Sequence, residues 1–130
     1  MRKSIQIEGF GHGNQPTPAA SLLQGLLVSG AIFGMDPDTR KIAAGMSTQC
    51  ALMFGHAERI LHAGGCDWSR VLKMTFYIAA DQSRDDINAH WLRLFPDADT
   101  RPARHVMVSD RLPPGMLVQC DLMAFAAANA

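Results

Sequence analysis

The clearest pattern in the chain is a helical stripe of apolar residues between positions 46 and 63. Its members recur every three or four residues, as on the buried face of a helix: Cys50, Met53, Phe54, Ala57, Ile60 and Leu61. Gly64 and Gly65 follow, and glycine commonly ends a helix. A second helix is predicted over residues 81–95, where Ile87, Trp91 and Leu94 form the stripe and Pro96 prevents continuation.

Alternation of apolar and polar residues predicts the strands. It is most regular over residues 71–79, where every second side chain is apolar. Further strands are predicted over residues 3–8, 26–33, 104–109 and 116–125. The glycine- and proline-rich residues 9–18 are predicted to be irregular.

The order of these elements is strand, strand, helix, strand, helix, strand, strand. It predicts an α+β fold over residues 1–130, with one mixed β-sheet and both helices packed on one face. The other face of such a sheet needs a cover, and the simplest cover is another copy of the chain.

Composition excludes several classes of protein. The 130 residues include 12 basic and 12 acidic side chains, a balance that argues against a nucleic-acid partner. No apolar run approaches the ~20 residues that span a membrane. The three cysteines and five histidines show no metal-binding spacing. We therefore expect a cytoplasmic protein with reduced thiols and without a metal or a membrane partner.

Arg104 is the first candidate for chemistry, because it opens a predicted strand. An arginine at a strand end that faces a cleft can bind a carboxylate through two parallel hydrogen bonds. The alternative is a surface arginine in a weak salt bridge. Gln119 and Asp121 share one face of the last strand. If that strand lies beside the Arg104 strand, they could place a water or act as a base; otherwise they are solvated polar residues.

Two further candidates lie in the first third of the chain. Ser29-Gly30 interrupts an apolar strand, which would either leave amides free to bind an oxyanion or mark a simple bulge. His12 lies in the glycine-rich segment, where it is either part of a site or a hydrogen-bonded structural histidine.

Five segments of the chain match one known family pattern. In order, they are residues 27–30 with 36–39 (LVSG and DPDT), 63–75 (AGGCDWSRVLKMT), 87–91 with 95–96 (INAHW and FP), 101–104 (RPAR) and 112–118 (LPPGMLV). In this order and spacing they resemble the Rid (YjgF-like) family. The resemblance covers residues 16–124 approximately.

The resemblance implies a chorismate-mutase-like fold assembled as a homotrimer, with clefts between subunits. It implies hydrolysis of enamines or imines of amino acids to a keto acid and ammonia, without a cofactor. The family's arginine corresponds to Arg104, the carboxylate ligand. Its serine–glycine pair corresponds to Ser29 and Gly30, and its asparagine to Asn88.

One departure from the family pattern opens alternatives. The family's acidic residue, which positions the attacking water, corresponds to Gln119, and an amide cannot accept a proton at neutral pH. The first hypothesis is a deaminase in which Gln119 and Arg104 act on a small carboxylate. The second is a non-catalytic trimer that binds a small acid as a regulator or sensor. A third is RNA cleavage, which the neutral charge disfavours.

Overall fold

The computed structural model describes residues 1–127, so residues 128–130 of the predicted domain lie outside the described residues. The helices are α1, Met46–Ala63, and α2, Asp85–Leu94. The strands are β1 Lys3–Ile5, β2 Ala20–Leu23, β3 Leu26–Ser29, β4 Ile32–Phe33, β5 Val71–Ile78, β6 Ala103–Val108 and β7 Val118–Phe125. A short 3-10 turn, Trp68–Arg70, precedes β5.

All seven strands form one sheet. Its order is β1-β2-β3-β7-β5-β6, and β4 pairs with β7 beyond the end of β3. Among the strands of residues 1–127, only β5 and β6 are parallel to each other, and α2 supplies the crossover between them. The prediction of one mixed sheet carrying two helices is confirmed.

The core lies between the helices and one face of the sheet. Met74 and Phe76 of β5 and Cys120 and Leu122 of β7 point to this helix-facing side and are almost fully buried. Burial raises the pKa of Cys50 to about 12, and it also raises that of Cys120. These thiols stay protonated, which fits a packing role.

The largest error in the predicted strands is the omission of β2. The two residues between β2 and β3, Gln24 and Gly25, have φ angles of 50° and 85°. Positive φ at both central positions is the signature of a type I′ turn, whose twist suits a two-residue hairpin. The Gln24-Gly25 pair between two apolar runs was the feature of the sequence that could have indicated this hairpin.

Other boundaries also differ from the predictions. The predicted strand over residues 26–33 is divided into β3 and β4 by Gly30 and Ala31. The second helix begins at Asp85, four residues later than predicted. Just before it, the Ser83 hydroxyl accepts a hydrogen bond from the Asp85 amide in a local turn. The first strand ends at Ile5.

The sheet face opposite the helices, called the open face below, has no cover within residues 1–127. Alternation along β5 and β7 places polar side chains at its centre: Lys73, Thr75, Tyr77, Gln119 and Asp121. Apolar side chains surround them with exposures of about 40–47%: Leu23, Val28, Met107, Met123 and Phe125. An exposed apolar surface of this extent is typical of an interface. Within residues 1–127, no helix has the length and apolar character needed to cross a membrane.

A candidate carboxylate-binding site

Arg104 is the second residue of β6, and its side chain lies on the helix-facing side of the sheet. The register that pairs it with buried Met74 fixes this orientation. Its guanidinium carbon lies 5.0 Å from the ring centre of Trp91 in α2 and 6.0 Å from that of Phe76. These aromatic faces attract the cation and hold the half-buried side chain in place.

The charge of Arg104 is not neutralised by the protein. Burial, and then the nearby charge of Arg84, lower the pKa of Arg104, but a guanidinium remains protonated at any physiological pH. Within residues 1–127, no carboxylate lies within ion-pair distance of Arg104 and no hydrogen bond engages it. Two neighbouring cations without a counter-ion form a site that attracts an anion.

Asn88 lies on the same face of α2 as Arg84 and Trp91. It is four residues after Arg84 and three before Trp91, so the helical repeat places all three on one face. Asn88 is half-buried. An amide on this face of the helix can donate a hydrogen bond to a ligand or accept one from it.

Gln119 and Asp121 do not meet Arg104 within one chain. Strand β5 separates β7 from β6, and Gln119 and Asp121 lie on the open face opposite Tyr77 and Thr75. Gln119 and Asp121 were expected to approach Arg104 only if their strand lay beside the Arg104 strand. The two strands are not neighbours. Burial raises the pKa of Asp121, and Lys73 partly offsets this effect.

Ser29 and Gly30 are engaged in the fold. The Ser29 hydroxyl donates to the Gly30 carbonyl and accepts from the Leu122 amide, both at 2.9 Å. The Gly30 amide donates to the Ala19 carbonyl at 2.9 Å. Of the two alternatives for this pair, a free Gly30 amide is therefore excluded, and a bend in the strand is what the structure shows. The pair marks a bend, where the Ser29 hydroxyl replaces the ladder bond that β7 loses between β3 and β4.

His12 packs against this bend. Its Nε2 lies 2.7 Å from the Ala31 carbonyl, so Nε2 carries the hydrogen and donates it. Nδ1 is buried and has no hydrogen-bond partner within residues 1–127. The ring also contacts Phe10, with centres 5.5 Å apart. His12 is thus a fixed part of the wall beside Gly30.

The comparison with known proteins identifies the family. The model of the family described as endoribonuclease L-PSP matches residues 17–126. The chain belongs to this family. A RutC family protein of Aquifex aeolicus is 26% identical over 114 residues, which cover 84% of this chain and 91% of that protein.

Solved structures confirm the Rid fold of the chain. The Yersinia pestis protein YyfA, described as a Rid family protein of unknown function, has a TM-score of 0.87 at 20% identity and covers 97% of this chain and 100% of its own. The Escherichia coli protein TdcF, crystallised with bound serine, has a TM-score of 0.84 at 21% identity and covers 96% of this chain and 99% of its own.

Gln49 of the Rid chain is a buried polar residue of α1 that does not belong to the predicted apolar stripe. Its Nε2 donates to the carbonyls of Ala43 and Gly115 at 2.8 and 2.9 Å, and its Oε1 accepts from the Leu117 amide at 2.8 Å. Gly34 permits this packing, because a Cβ at that position would lie 2.5 Å from the Gln49 Cα. One amide therefore ties the loop before α1 to the loop before β7.

His56 is the second buried polar residue that the helical pattern did not reveal. Its Nε2 donates to the Met35 carbonyl at 2.7 Å, and its Nδ1 accepts from Arg59 at 2.6 Å. Arg59 also binds the Glu8 carbonyl. Because both ring nitrogens are used in this way, His56 is neutral, and it ties α1 to the N-terminal segment.

Acidification is expected to destabilise the Rid fold partly through His56. Burial lowers the pKa of His56, so between its folded and unfolded pKa values the unfolded chain binds more protons. The free energy of unfolding should therefore fall as the pH drops below about 6.5. Burial lowers the pKa of His90 as well, and His90 contributes in the same direction.

Urea unfolding of wild type and of His56→Gln, at several pH values on either side of about 6.5, the ordinary pKa of histidine, measures the effect. The variant should show a shallower pH dependence. His62→Gln, which changes an exposed histidine of α1, is the matched control and should follow wild type. Parallel curves for wild type and His56→Gln would contradict the neutral assignment of His56.

Proposed function

We propose that this Rid chain hydrolyses small enamines or imines that carry a carboxylate, releasing ammonia and a keto acid. The observation that carries the proposal is the half-buried Arg104 beside Arg84 with no carboxylate partner within residues 1–127. Such a guanidinium matches the two oxygens of a carboxylate. The TdcF structure with bound serine adds support, because serine is a small molecule with a carboxylate.

The proposed site is completed by a second copy of the chain in a homotrimer. Arg104 and Gln119 lie on opposite sides of the sheet, so one chain cannot bring them to one ligand. The open face carries an apolar surface that a neighbouring copy would bury. In this arrangement the open face of one subunit, with Gln119 and Asp121, faces the Arg104 side of the next.

The chemistry needs little from the protein. Water adds to the carbon of the C=N bond, a proton reaches the nitrogen, and the C–N bond breaks to give ammonia and the carbonyl product. Arg104 and Asn88 fix the carboxylate, which lowers the entropic cost of attack. Gln119 orients the water through its amide. Gly30, exposed and without a side chain, lets the reacting end of the substrate approach the bend.

Water is the only co-substrate of this reaction, so the proposal includes no cofactor. It places the protein in the cytoplasm, where three buried thiols would remain reduced. It also excludes nucleic acid as a substrate, because the balanced charge of 12 basic and 12 acidic residues lacks a phosphate-binding excess.

A non-catalytic acid-binding trimer is the second candidate, and Gln119 is the observation that favours it. A glutamine can orient a water but cannot remove its proton. Under this alternative, Arg104 and Asn88 bind a keto acid, and no ammonia is released from an imine. Binding without turnover in calorimetry and in an ammonia assay distinguishes the two candidates.

Replacing Arg104 with glutamine tests the proposal directly. The variant loses a charge-assisted pair of hydrogen bonds, so kcat/KM for an aminoacrylate-type imine should fall about ten- to a hundred-fold. Ammonia release under single-turnover conditions measures this change. Arg101→Gln, an exposed arginine three residues earlier, is the matched control and should retain activity.

Co-expression of two variants tests the shared site. Arg104→Gln subunits co-expressed with Gln119→Leu subunits should regain part of the activity, because some interfaces then combine both wild-type residues. Equal rates for wild type and Arg104→Gln would refute the carboxylate assignment. Absence of rescue, with both single variants inactive, would refute the placement of the site between subunits.

A further inference from the structure

A second arginine, Arg84, lies beside Arg104 at the edge of the sheet. It immediately precedes α2, and its Nη2 donates to the Val106 carbonyl of β6 at 3.5 Å. Val106 is two residues after Arg104, and the alternation of β6 places both side chains on the helix-facing side. Two residues of a strand span about 6.6 Å. Arg84 therefore reaches β6 within the length of one small molecule from Arg104.

The guanidinium of Arg84 is only weakly used by the fold. A contact of 3.5 Å is at the long limit of a hydrogen bond, and a guanidinium carries five N–H donors. In the part of the chain that the structure describes, no acidic side chain forms an ion pair with Arg84. The side chain is exposed. Most of its donors are therefore available to a ligand.

The acidic residues that follow Arg84 do not neutralise it. Asp85 and Asp86 belong to the first turn of α2. The charge of Asp86 acts on the pKa of Cys50 and on that of His90, so Asp86 lies towards α1 and away from β6. Asp85 is exposed and makes no ion pair among residues 1–127. The positive charge of Arg84 is thus left for another partner.

Two like charges in one site favour a ligand with two negative groups. Burial, and then the charge of Arg84, lower the pKa of Arg104, so the two cations are close enough to repel each other. A monocarboxylate held by Arg104 neutralises one cation and leaves the other unpaired. A second carboxylate on the same molecule would pair with Arg84 and offset the repulsion.

The face of α2 between the two arginines has the length of a small diacid. Trp91, whose ring lies 5.0 Å from the Arg104 guanidinium carbon, is seven residues after Arg84. At a rise of 1.5 Å per residue, this face extends about 10 Å, and Asn88 occupies the middle of it. The side chain of Arg84 is long and exposed, so it can follow a ligand that is shorter than this face.

We propose that Arg84 is a specificity residue that selects ligands with a second carboxylate, which in the proposed reaction are imines formed from aspartate or glutamate. Arg104 binds the carboxylate next to the C=N carbon, and Arg84 binds the carboxylate of the side chain. Arg84 takes no part in proton transfer, and hydrolysis gives ammonia and a keto diacid. The inference rests on the proposed function and adds to it the class of substrate.

Calorimetric binding of two keto acids tests the preference. 2-Oxoglutarate and 2-oxopentanoate have the same number of carbons and differ in the second carboxylate. At low salt, wild type should bind 2-oxoglutarate about ten-fold more tightly, the effect of one charged contact at an exposed site. The preference should shrink as salt is added, because Arg84 is exposed.

Variants assign the preference to Arg84. Arg84→Gln should lose the preference and keep the wild-type affinity for 2-oxopentanoate. Arg84→Lys should keep part of the preference, because it retains the charge. Arg93→Gln is the matched control, since it changes an exposed arginine about two and a half turns later, on the opposite face of α2. It should bind both keto acids as wild type does.

The outcomes separate this inference from the proposed function. Equal affinity of wild type for the two keto acids, or an unchanged preference in Arg84→Gln, would overturn the selection by Arg84. Unchanged binding of both keto acids by Arg104→Gln would instead overturn the carboxylate assignment of Arg104, on which the proposed function depends. Ammonia release from the imines of glutamate and norvaline, formed in place by an amino-acid oxidase, should show the same preference in kcat/KM. A preference that depends on Arg84 without ammonia release above the uncatalysed rate would support the selection and assign it to the acid-binding protein.

Discussion

Replacing Gln119 with glutamate is expected to raise the rate of ammonia release from an imine by about 10²- to 10⁴-fold, the range that a positioned general base contributes. The change keeps the length and shape of the side chain and adds a proton acceptor where the proposed water lies. Gln119 is half-buried on the open face, opposite Tyr77 and Phe33, so the new carboxylate enters an environment that is already partly dry.

The surroundings of position 119 favour a useful base. Asp121 lies two residues away on the same face of β7, and burial already raises the pKa of its carboxyl. A second carboxylate nearby is disfavoured by like charge, so the pKa of the introduced group is expected to rise above its usual value of about 4.3. The rate should therefore increase with pH through that raised pKa, where the base becomes deprotonated.

Two controls separate this gain from a general effect of charge. Gln82→Glu adds the same charge in the loop before α2, where the Gln82 side chain donates to the neighbouring Asp81, and it should leave the rate unchanged. Arg104→Gln in the Gln119→Glu background should remove most of the gain. No increase in ammonia release for Gln119→Glu, with keto-acid binding intact, would favour the acid-binding protein over the deaminase.

The sequence predicted those features that depend on local periodicity. The apolar stripe of α1 and the alternation of β5 each extend over many residues, so an exception at one position does not hide the pattern. Both elements lie where they were predicted. Strand β2 has only four residues and depends on the Gln24-Gly25 turn and on its pairing with β3. Short elements of this kind are decided by tertiary pairing, which one sequence does not display.

The candidate site was predictable in its residues but not in its geometry. Arg104 was identified by its position at a strand start and by the family resemblance. That β5 lies between β6 and β7, and that Arg104 and Gln119 face opposite sides, depend on strand order and register. Sequence spacing fixes which residues share a face within a strand, but not which strands are neighbours.

Buried polar partners were the least predictable feature. Gln49 and Ser29 are polar residues whose hydrogen bonds include ones to backbone groups 66 to 93 residues away along the chain. A helical or strand pattern treats such residues as exposed, because polar side chains usually are. Their burial follows from loops that meet only in the folded chain, where unpaired amides and carbonyls must be satisfied.

Replacing Gln49 with alanine is expected to lower the free energy of unfolding by about 3 kcal/mol or more. The side chain is 1% exposed, and its loss leaves two carbonyls and one amide without partners, each costing about 1–3 kcal/mol when buried. Urea unfolding at neutral pH measures the change. The loop before α1 and the loop before β7 should separate, so the ¹³C-methyl NMR signal of Met116 should shift or broaden in the same variant.

Gln82→Ala is the matched control, because the Gln82 side chain bonds only within its own loop, and it should change the unfolding free energy by less than about 0.5 kcal/mol.

Gln49→Glu is the sharper probe, since it keeps the volume but places carboxylate oxygens against the Ala43 and Gly115 carbonyls. Burial and this repulsion raise the pKa of the introduced carboxyl in the folded state. The folded chain then binds the extra proton more tightly, so the stability of Gln49→Glu should fall as the pH rises from about 4.3 through the raised pKa. Equal unfolding free energies for wild type and Gln49→Ala would show that the loop before α1 and the loop before β7 are held together without this amide.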